Sequence, residues 1–311
     1  MKKEITQLFD EFMYECEFVK KSRPETLRGY RQTFTLFMKI QPNISWELLN
    51  TSALTQFFKI LDQRKRIVGK GTIKIGIKKS TVATYWSKLN SFFEWLKMKG
   101  YIRENPLNEL KYPTPVYEDK KFLKKEEVEK ILTAILINSD KNILVFKRNL
   151  VIFHFLLFCG LRRNELVFLQ VRDIDFERKT LTVRAETSKV KLNRYIPLHS
   201  QLIMYLKDYL KERNDYTTPY LIVSGNRDEK LTNDGLKHLV RRLIHSSGVH
   251  FHLHQFRHTF AVNFLKTSNN IAKLKQLLGH SDISMTMQYL RCLPTSEMRG
   301  DIENMSIDKL I

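Results

Sequence analysis

The sequence predicts a mainly α protein: an all-helical domain over residues 1–112, a linker over 113–122, and a larger, mostly helical domain over 123–311 with a small antiparallel β-sheet. Three observations carry that expectation. Apolar residues recur through most of the chain at the spacing that lines one face of a helix. The stretch "NPLNELKYPTPVYEDKKF" gathers Pro106, Pro113 and Pro115 with a burst of charge, the composition of a link between domains. Only "TLTVRAETSKVKLNRYIPL" alternates like paired strands.

In the first domain, "ETLRGYRQTFTLFMKI" sets Leu27, Tyr30, Phe34 and Phe37 at helical spacing, with Thr26 or Ser22 placed to cap it. "KSTVATYWSKLNSFFEWLKMKGYI" takes Ser80 or Thr81 as its cap. It carries Val82, Tyr85, Leu89, Phe92, Phe93 and Leu96 on one stripe and stops at Gly100. These aromatics read as core. Between the helices lies "RKRIVGKGTIKIGIKKS", residues 64–80. Its "GKGT" mimics a nucleotide loop, but a Walker loop needs glycine where Arg64 stands. The stretch reads as a basic loop or short hairpin whose cations either meet phosphates or face water.

The second domain opens with the amphipathic "KKEEVEKILTAIL". "RNLVIFHFLLFCG" is apolar all round, the mark of a buried helix, and Gly160 ends it. Two strands follow, Leu181–Arg184 and Arg194–Pro197, joined by a Lys-rich turn. Helical patterns resume in "SQLIMYLKDYLKER", "TNDGLKHLVRRLIHSSG", "HQFRHTFAVNFLKTS", "NIAKLKQLLGH" and "DISMTMQYLR".

Charge narrows the function. The chain holds 53 Lys and Arg against 33 Asp and Glu, a net +20. Residues 1–113 hold 21 basic and 11 acidic residues, leaving 32 and 22 for the remainder, so each part carries +10. An excess spread over both domains favours a polyanion, chiefly nucleic acid. Cys16, Cys159 and Cys292 form no CxxC pair, as expected of reduced thiols in a cytoplasmic protein. No apolar run reaches the ~18 residues of a membrane span, and the N-terminus lacks a signal-type apolar core.

"GVHFHLHQFRHTF" places His250, His252, His254 and His258 within nine positions and raises the question of a metal. His254 and His258 have the zinc-protease spacing, yet the general-base Glu of that motif is here Gln255. Arg257 stands one turn from His254. Imidazole beside guanidinium suits an anion better than a cation, so no metal or other cofactor is expected. The same chemistry recurs at the ends of apolar elements: Arg162 in "CGLRRNEL", Lys189 in the hairpin turn, His280 in "LLGHSDIS", then Tyr289. Arg pairs bidentately with phosphate oxygens, Lys or His moves protons, and Tyr can act as nucleophile.

"GLRRNEL", "HQFRHTFA" and "LLGHSDISMTMQY" resemble, in order and spacing, the three motif boxes of the tyrosine recombinases, or phage integrase family. The nine-residue step from His280 to Tyr289 fits as well. The first domain looks like the family's core-DNA-binding domain and the second like its catalytic domain. The resemblance implies that Tyr289 attacks a DNA phosphodiester, giving a 3′-phosphotyrosyl link and a free 5′-hydroxyl. Arg162, Arg257 and His280 would hold the phosphate, Lys189 would protonate the leaving oxygen, and His254 would assist proton transfer. Glu165 and His258 would brace these groups from behind. The hairpin reads "SKVKLNRYIPL", without the glycines that often flank the family's lysine, so Lys191 competes with Lys189.

The resemblance further implies double-stranded DNA with paired sites as the substrate and a tetramer assembled on it, with room for an accessory or partner recombinase. About 112 residues precede the linker, too few for an additional arm-binding domain. That fits Xer-type recombinases that resolve chromosome dimers and compact integrases of mobile elements alike. A non-catalytic DNA-binding relative and a type IB topoisomerase are the alternatives. The tail, about 293–311, spaces Met298, Ile302 and Met305 on one helical face, as for a segment that docks on a neighbouring protomer.

Overall fold

The computed structural model describes residues 3–69, 71–114, 121–137, 142–187, 192–225 and 227–293. The chain divides into two compact units, Met1–Glu118 and Asp119–Ile311. Lys189, Lys191 and all of the tail beyond residue 293 lie outside the described residues.

The first unit holds four long helices: α1 (Ile5–Tyr14), α2 (Pro24–Ile40), α3 (Thr51–Gln63) and α4 (Lys79–Met98). Its core is aromatic. Phe9 stacks on Phe34 at 3.8 Å between ring centres, and Phe92 meets Phe9 edge-on at 5.3 Å. The stripes read from sequence are buried, with Tyr30 and Tyr85 only partly so. Helix starts differ from expectation. α2 begins at Pro24, whose fixed φ suits a first turn, so neither Ser22 nor Thr26 caps it. α4 begins at Lys79 after an extended Lys78.

This unit is not purely helical. Residues 64–80 take the hairpin alternative, with β1 (Lys65–Val68) antiparallel to β2 (Thr72–Ile75). The ribbon's base is fixed: the Gly76 N–H donates to the Arg64 carbonyl at 2.9 Å. A Cβ on Gly76 would sit 2.6 Å from the Asp62 carbonyl oxygen, at a φ of +71° that already favours glycine.

The second unit contains α5 (Lys125–Ile137), α6 (Ile143–Cys159), α7 (Arg163–Val167) and α8 (Ser200–Glu212). They are followed by α9 (Asn233–Ser247), α10 (Leu253–Ser268), α11 (Ile271–Leu278) and the short α12 (Ser284–Met287). α6 is buried on nearly every face, packed by α5, α8 and α10, which is why its sequence shows no polar stripe. The sheet has three strands: β3 (Ile174–Asp175), β4 (Thr180–Val183) and β5 (Arg194–Pro197), in that order and antiparallel. Leu181 pairs with Ile196 and Val183 with Arg194, so Arg194 faces inward with Ile196. The third strand, two residues long, is too short to leave an alternation in the sequence. The expected last helix "DISMTMQYLR" also breaks: α12 covers four residues, and Tyr289 stands at the entry to a 3₁₀ turn, Leu290–Cys292.

Cys16 and Cys159 are buried free thiols, and Cys292 is half-buried. Among the described residues no helix is long and apolar enough to cross a membrane.

Gly160 ends α6 in a left-handed turn at φ +56°, where a Cβ would lie 2.5 Å from the Phe260 ring. Gly160→Ala therefore carries both backbone strain and a core collision. We expect a loss of about 2 kcal/mol or more in urea unfolding of the full chain.

Candidate active site

Two left-handed glycines build the site. Gly160 turns the chain out of α6 so that Arg162 precedes α7, and Gly279, at φ +61°, does the same after α11 and delivers His280. The carbonyls at those helix ends point at cations. Arg257, on α10, donates from one nitrogen to the Gly160 carbonyl and from another to the Leu278 carbonyl, each at 2.7 Å. Arg162 donates to the Gly279 carbonyl at 3.2 Å, and Arg194 donates through Nε to the Leu277 carbonyl at 2.9 Å. Three consecutive carbonyls at one helix end thus hold three guanidinium groups, the favourable pole for positive charge.

Glu165, on α7, supplies the counter-charge. Its carboxylate accepts two hydrogen bonds from Arg194, at 3.0 and 2.6 Å, and one from Arg162 at 2.9 Å. It also accepts from the backbone N–H of Arg162 at 2.8 Å, closing the start of α7. Burial alone would raise its carboxyl, but Arg194 and then Arg162 more than offset that and hold it at about 2. Burial, and then the charge of Arg162, pull the Arg257 guanidinium down to about 9, so it stays charged at neutral pH. Arg257 is 1% exposed. An oxyanion brought against these heads would relieve the repulsion between the two arginines.

The aromatic half joins the same cluster. His280 Nε2 faces an Arg257 nitrogen at 3.1 Å, and its Nδ1 lies 2.8 Å from the Thr286 hydroxyl. Guanidinium only donates, so Nε2 accepts in this arrangement and Nδ1–H donates to Thr286. The hydroxyl can also donate, which lets the imidazole turn Nε2–H toward an incoming oxygen. Tyr289 is 1% exposed, its ring parallel to that of His280 at 6.5 Å. Its hydroxyl is 3.0 Å from His258 Nδ1. His254 is exposed and meets the His258 ring edge-to-face at 4.5 Å.

The structure therefore brings together Arg162, Glu165, Arg257, His258, His280 and Tyr289. It places His258, rather than His254, on the tyrosine hydroxyl. Arg194 and Thr286 were not singled out from sequence. Arg194 had a signal, since it occupies the inward position of a strand whose inward neighbour is Ile196. Thr286 had none. Among the described residues no group of three or more His, Cys, Asp and Glu side chains could hold a metal ion. The His250 and His252 rings meet edge-on, and His252 caps α10, its backbone N–H donating to the Gln255 side chain at 2.7 Å.

Residues 121–295 match the phage integrase family. The chain belongs to that family. It is a tyrosine recombinase, an enzyme of site-specific recombination. It is 31% identical over 288 residues to a tyrosine recombinase of Pseudothermotoga lettingae, covering 92% of this chain and 93% of the relative. It is 27% identical over 297 residues to the tyrosine recombinase XerC of Bacillus pumilus, covering 93% and 92%. In fold it is similar to the Tn1549 transposon integrase in complex with a circular intermediate DNA, with a TM-score of 0.74, 19% identity and coverage of 98% and 100%. These recombinase relatives favour neither a topoisomerase nor a non-catalytic binding protein.

The Glu165 network makes this phage integrase relative sensitive to acid. The Glu165 carboxyl titrates near 4.5 when free and at about 2 when folded. Its contribution, about 3 kcal/mol, is complete above pH 5 and is lost as the pH falls toward 2. In Glu165→Gln we expect a loss of about 3–5 kcal/mol at neutral pH. The unfolding free energy of that variant should also fall less steeply in acid, as followed by urea titration at several pH values.

Proposed function

We propose that this recombinase cleaves and rejoins double-stranded DNA through Tyr289. The observation that carries the reading is the convergence of a buried tyrosine, two guanidinium heads and an imidazole: Arg257 bonds His280, whose ring lies parallel to that of Tyr289 at 6.5 Å, and Arg162 bonds the Gly279 carbonyl beside it. The phenolic oxygen attacks phosphorus and the 5′-oxygen leaves, so a 3′-phosphotyrosyl bond replaces the phosphodiester. Arg162, Arg257 and His280 meet the charge that builds on the non-bridging oxygens. His258 Nδ1 receives the phenolic proton, with His254 supporting that imidazole from the solvent side. Lys189, or Lys191 beside it, protonates the leaving 5′-oxygen; that role rests on the family resemblance. Glu165 and Arg194 keep Arg162 in place. Attack by a 5′-hydroxyl of another strand reverses the step. The phosphodiester energy is conserved, so no nucleotide is consumed.

Assembly is read from two features. An apolar groove of about 900 Å³, lined in part by Phe122, Leu157, Phe158, Phe260 and Phe264, lies on the second unit. The tail's Met298, Ile302 and Met305 have the spacing to fill such a groove on a neighbouring protomer, giving a tetramer on paired sites in the cytoplasm. The likeness to Xer proteins favours resolution of chromosome dimers. The likeness in fold to a transposon integrase keeps a mobile-element role as the second reading.

Tyr289→Phe should abolish covalent capture of a nicked suicide substrate carrying the site recovered by selection from random duplexes. Binding should change less than about threefold, because one hydroxyl is lost and no basic surface. A DNA adduct formed by that variant would overturn the assignment. Cleavage by the native chain should proceed undiminished in EDTA and without ATP, as read on the same substrate by denaturing gel. A requirement for added divalent metal would return attention to His254 and His258.

A further inference from the structure

The β1–β2 ribbon is unlike a solvated turn in three respects. Its base is clamped at Gly76, where backbone bonding and the close approach of Asp62 allow no side chain. Ile77, just beyond, packs on the core of the first unit and anchors the ribbon there. Most telling is its surface. Cross-strand pairing puts Ile67 opposite Ile73 and Lys65 opposite Ile75, so all four residues share one face. Ile67, Ile73 and Ile75 are 77%, 66% and 71% exposed. Three adjacent β-branched apolar side chains facing water cost free energy with no return in the isolated unit.

Charge identifies the occupant. Residues 64–80 contain seven Lys and Arg and no Asp or Glu, so 17 residues carry +7 of the chain's net +20. Arg66 and Lys74 pair across the opposite face. A face three isoleucines wide is far below the roughly 800 Å² per partner of a stable protein interface. Duplex DNA draws most of its affinity from phosphates and needs few apolar contacts. The dimensions agree: four-residue strands about 13 Å long and about 4.8 Å apart fit a major groove about 12 Å wide.

We propose that β1–β2 is a DNA-reading ribbon, laid in the groove with Ile67, Ile73 and Ile75 toward the base edges and its lysines reaching the phosphates at the rim. Methyl groups of thymine are the natural partners of such a face. The proposal deepens the reading of the chain as a DNA recombinase and rests on it, adding a contact separate from the tyrosine site.

The test uses the full chain and two triple variants, with a short random-sequence duplex as the binding probe. Lys65→Gln, Lys74→Gln and Lys79→Gln together should weaken binding roughly tenfold at physiological salt. They should also flatten the dependence of log affinity on log salt by about 2 to 3, as expected for three lost phosphate contacts. Ile67→Ser, Ile73→Ser and Ile75→Ser together should weaken binding to the selected site several-fold and leave that slope unchanged. Both variants alter exposed residues, so their unfolding midpoints should match the native chain. At saturating protein both should still form the Tyr289 adduct. A lysine variant with the native salt slope would overturn the proposal. An isoleucine variant that binds the selected site like the native chain would overturn the groove contact. Native DNA binding with impaired assembly of protomers would assign the face to protein instead. Absence of the adduct in the native chain would sink the tyrosine chemistry while leaving the ribbon's binding result intact.

Discussion

One buried carboxylate organises the second unit. Glu165 binds Arg194 from β5, Arg162 from the turn before α7, and the backbone at the start of α7. Desolvating a carboxylate is costly, and a single cation rarely offsets it. Here two guanidinium groups and a peptide N–H share the task. The network leaves positive charge over: three arginines converge on the end of α11, while Glu165 supplies one negative charge. That surplus is the useful property. On the proposed mechanism it would match the charge of a phosphodiester moving toward its transition state.

The helix ends supply the rest of the electrostatics. Arg257 is fully buried without a carboxylate of its own, yet its partners are the terminal carbonyls of α6 and α11. Both helices stop at left-handed glycines, which leave those carbonyls open to a side chain instead of the next turn. The glycines therefore set the position of a cation. Tyr289 enters from a 3₁₀ turn after α12, and its hydroxyl meets His258 on α10, the helix that also carries Arg257.

Much of this was legible in the sequence because periodicity and helix-ending glycines are local. The stripes of α2 and α4, the all-round burial of α6 and its end at Gly160 follow from local pattern alone. The motif boxes located Arg162, Arg257, His280 and Tyr289, and the structure brings these four into one cluster. What escaped was non-local. Arg194 matters because Glu165 lies across from it, 29 positions away in the chain. Thr286 looks like any helical threonine until His280 folds onto it. The exchange of places between His254 and His258 follows from which face of α10 turns inward, and both faces carry histidine. The cap of α2 was misjudged because Pro24 needs no side-chain partner.

The row of carbonyls from Leu277 to Gly279 has a mechanical consequence. Each carries one arginine, from β5, α10 and the turn before α7 in chain order of the carbonyls. The intervals between the guanidinium heads are thereby set by the rise of a single helix terminus. A displacement of that terminus would carry all three cations with it, so the spacing between them is a property of one helix end and not of three separate elements.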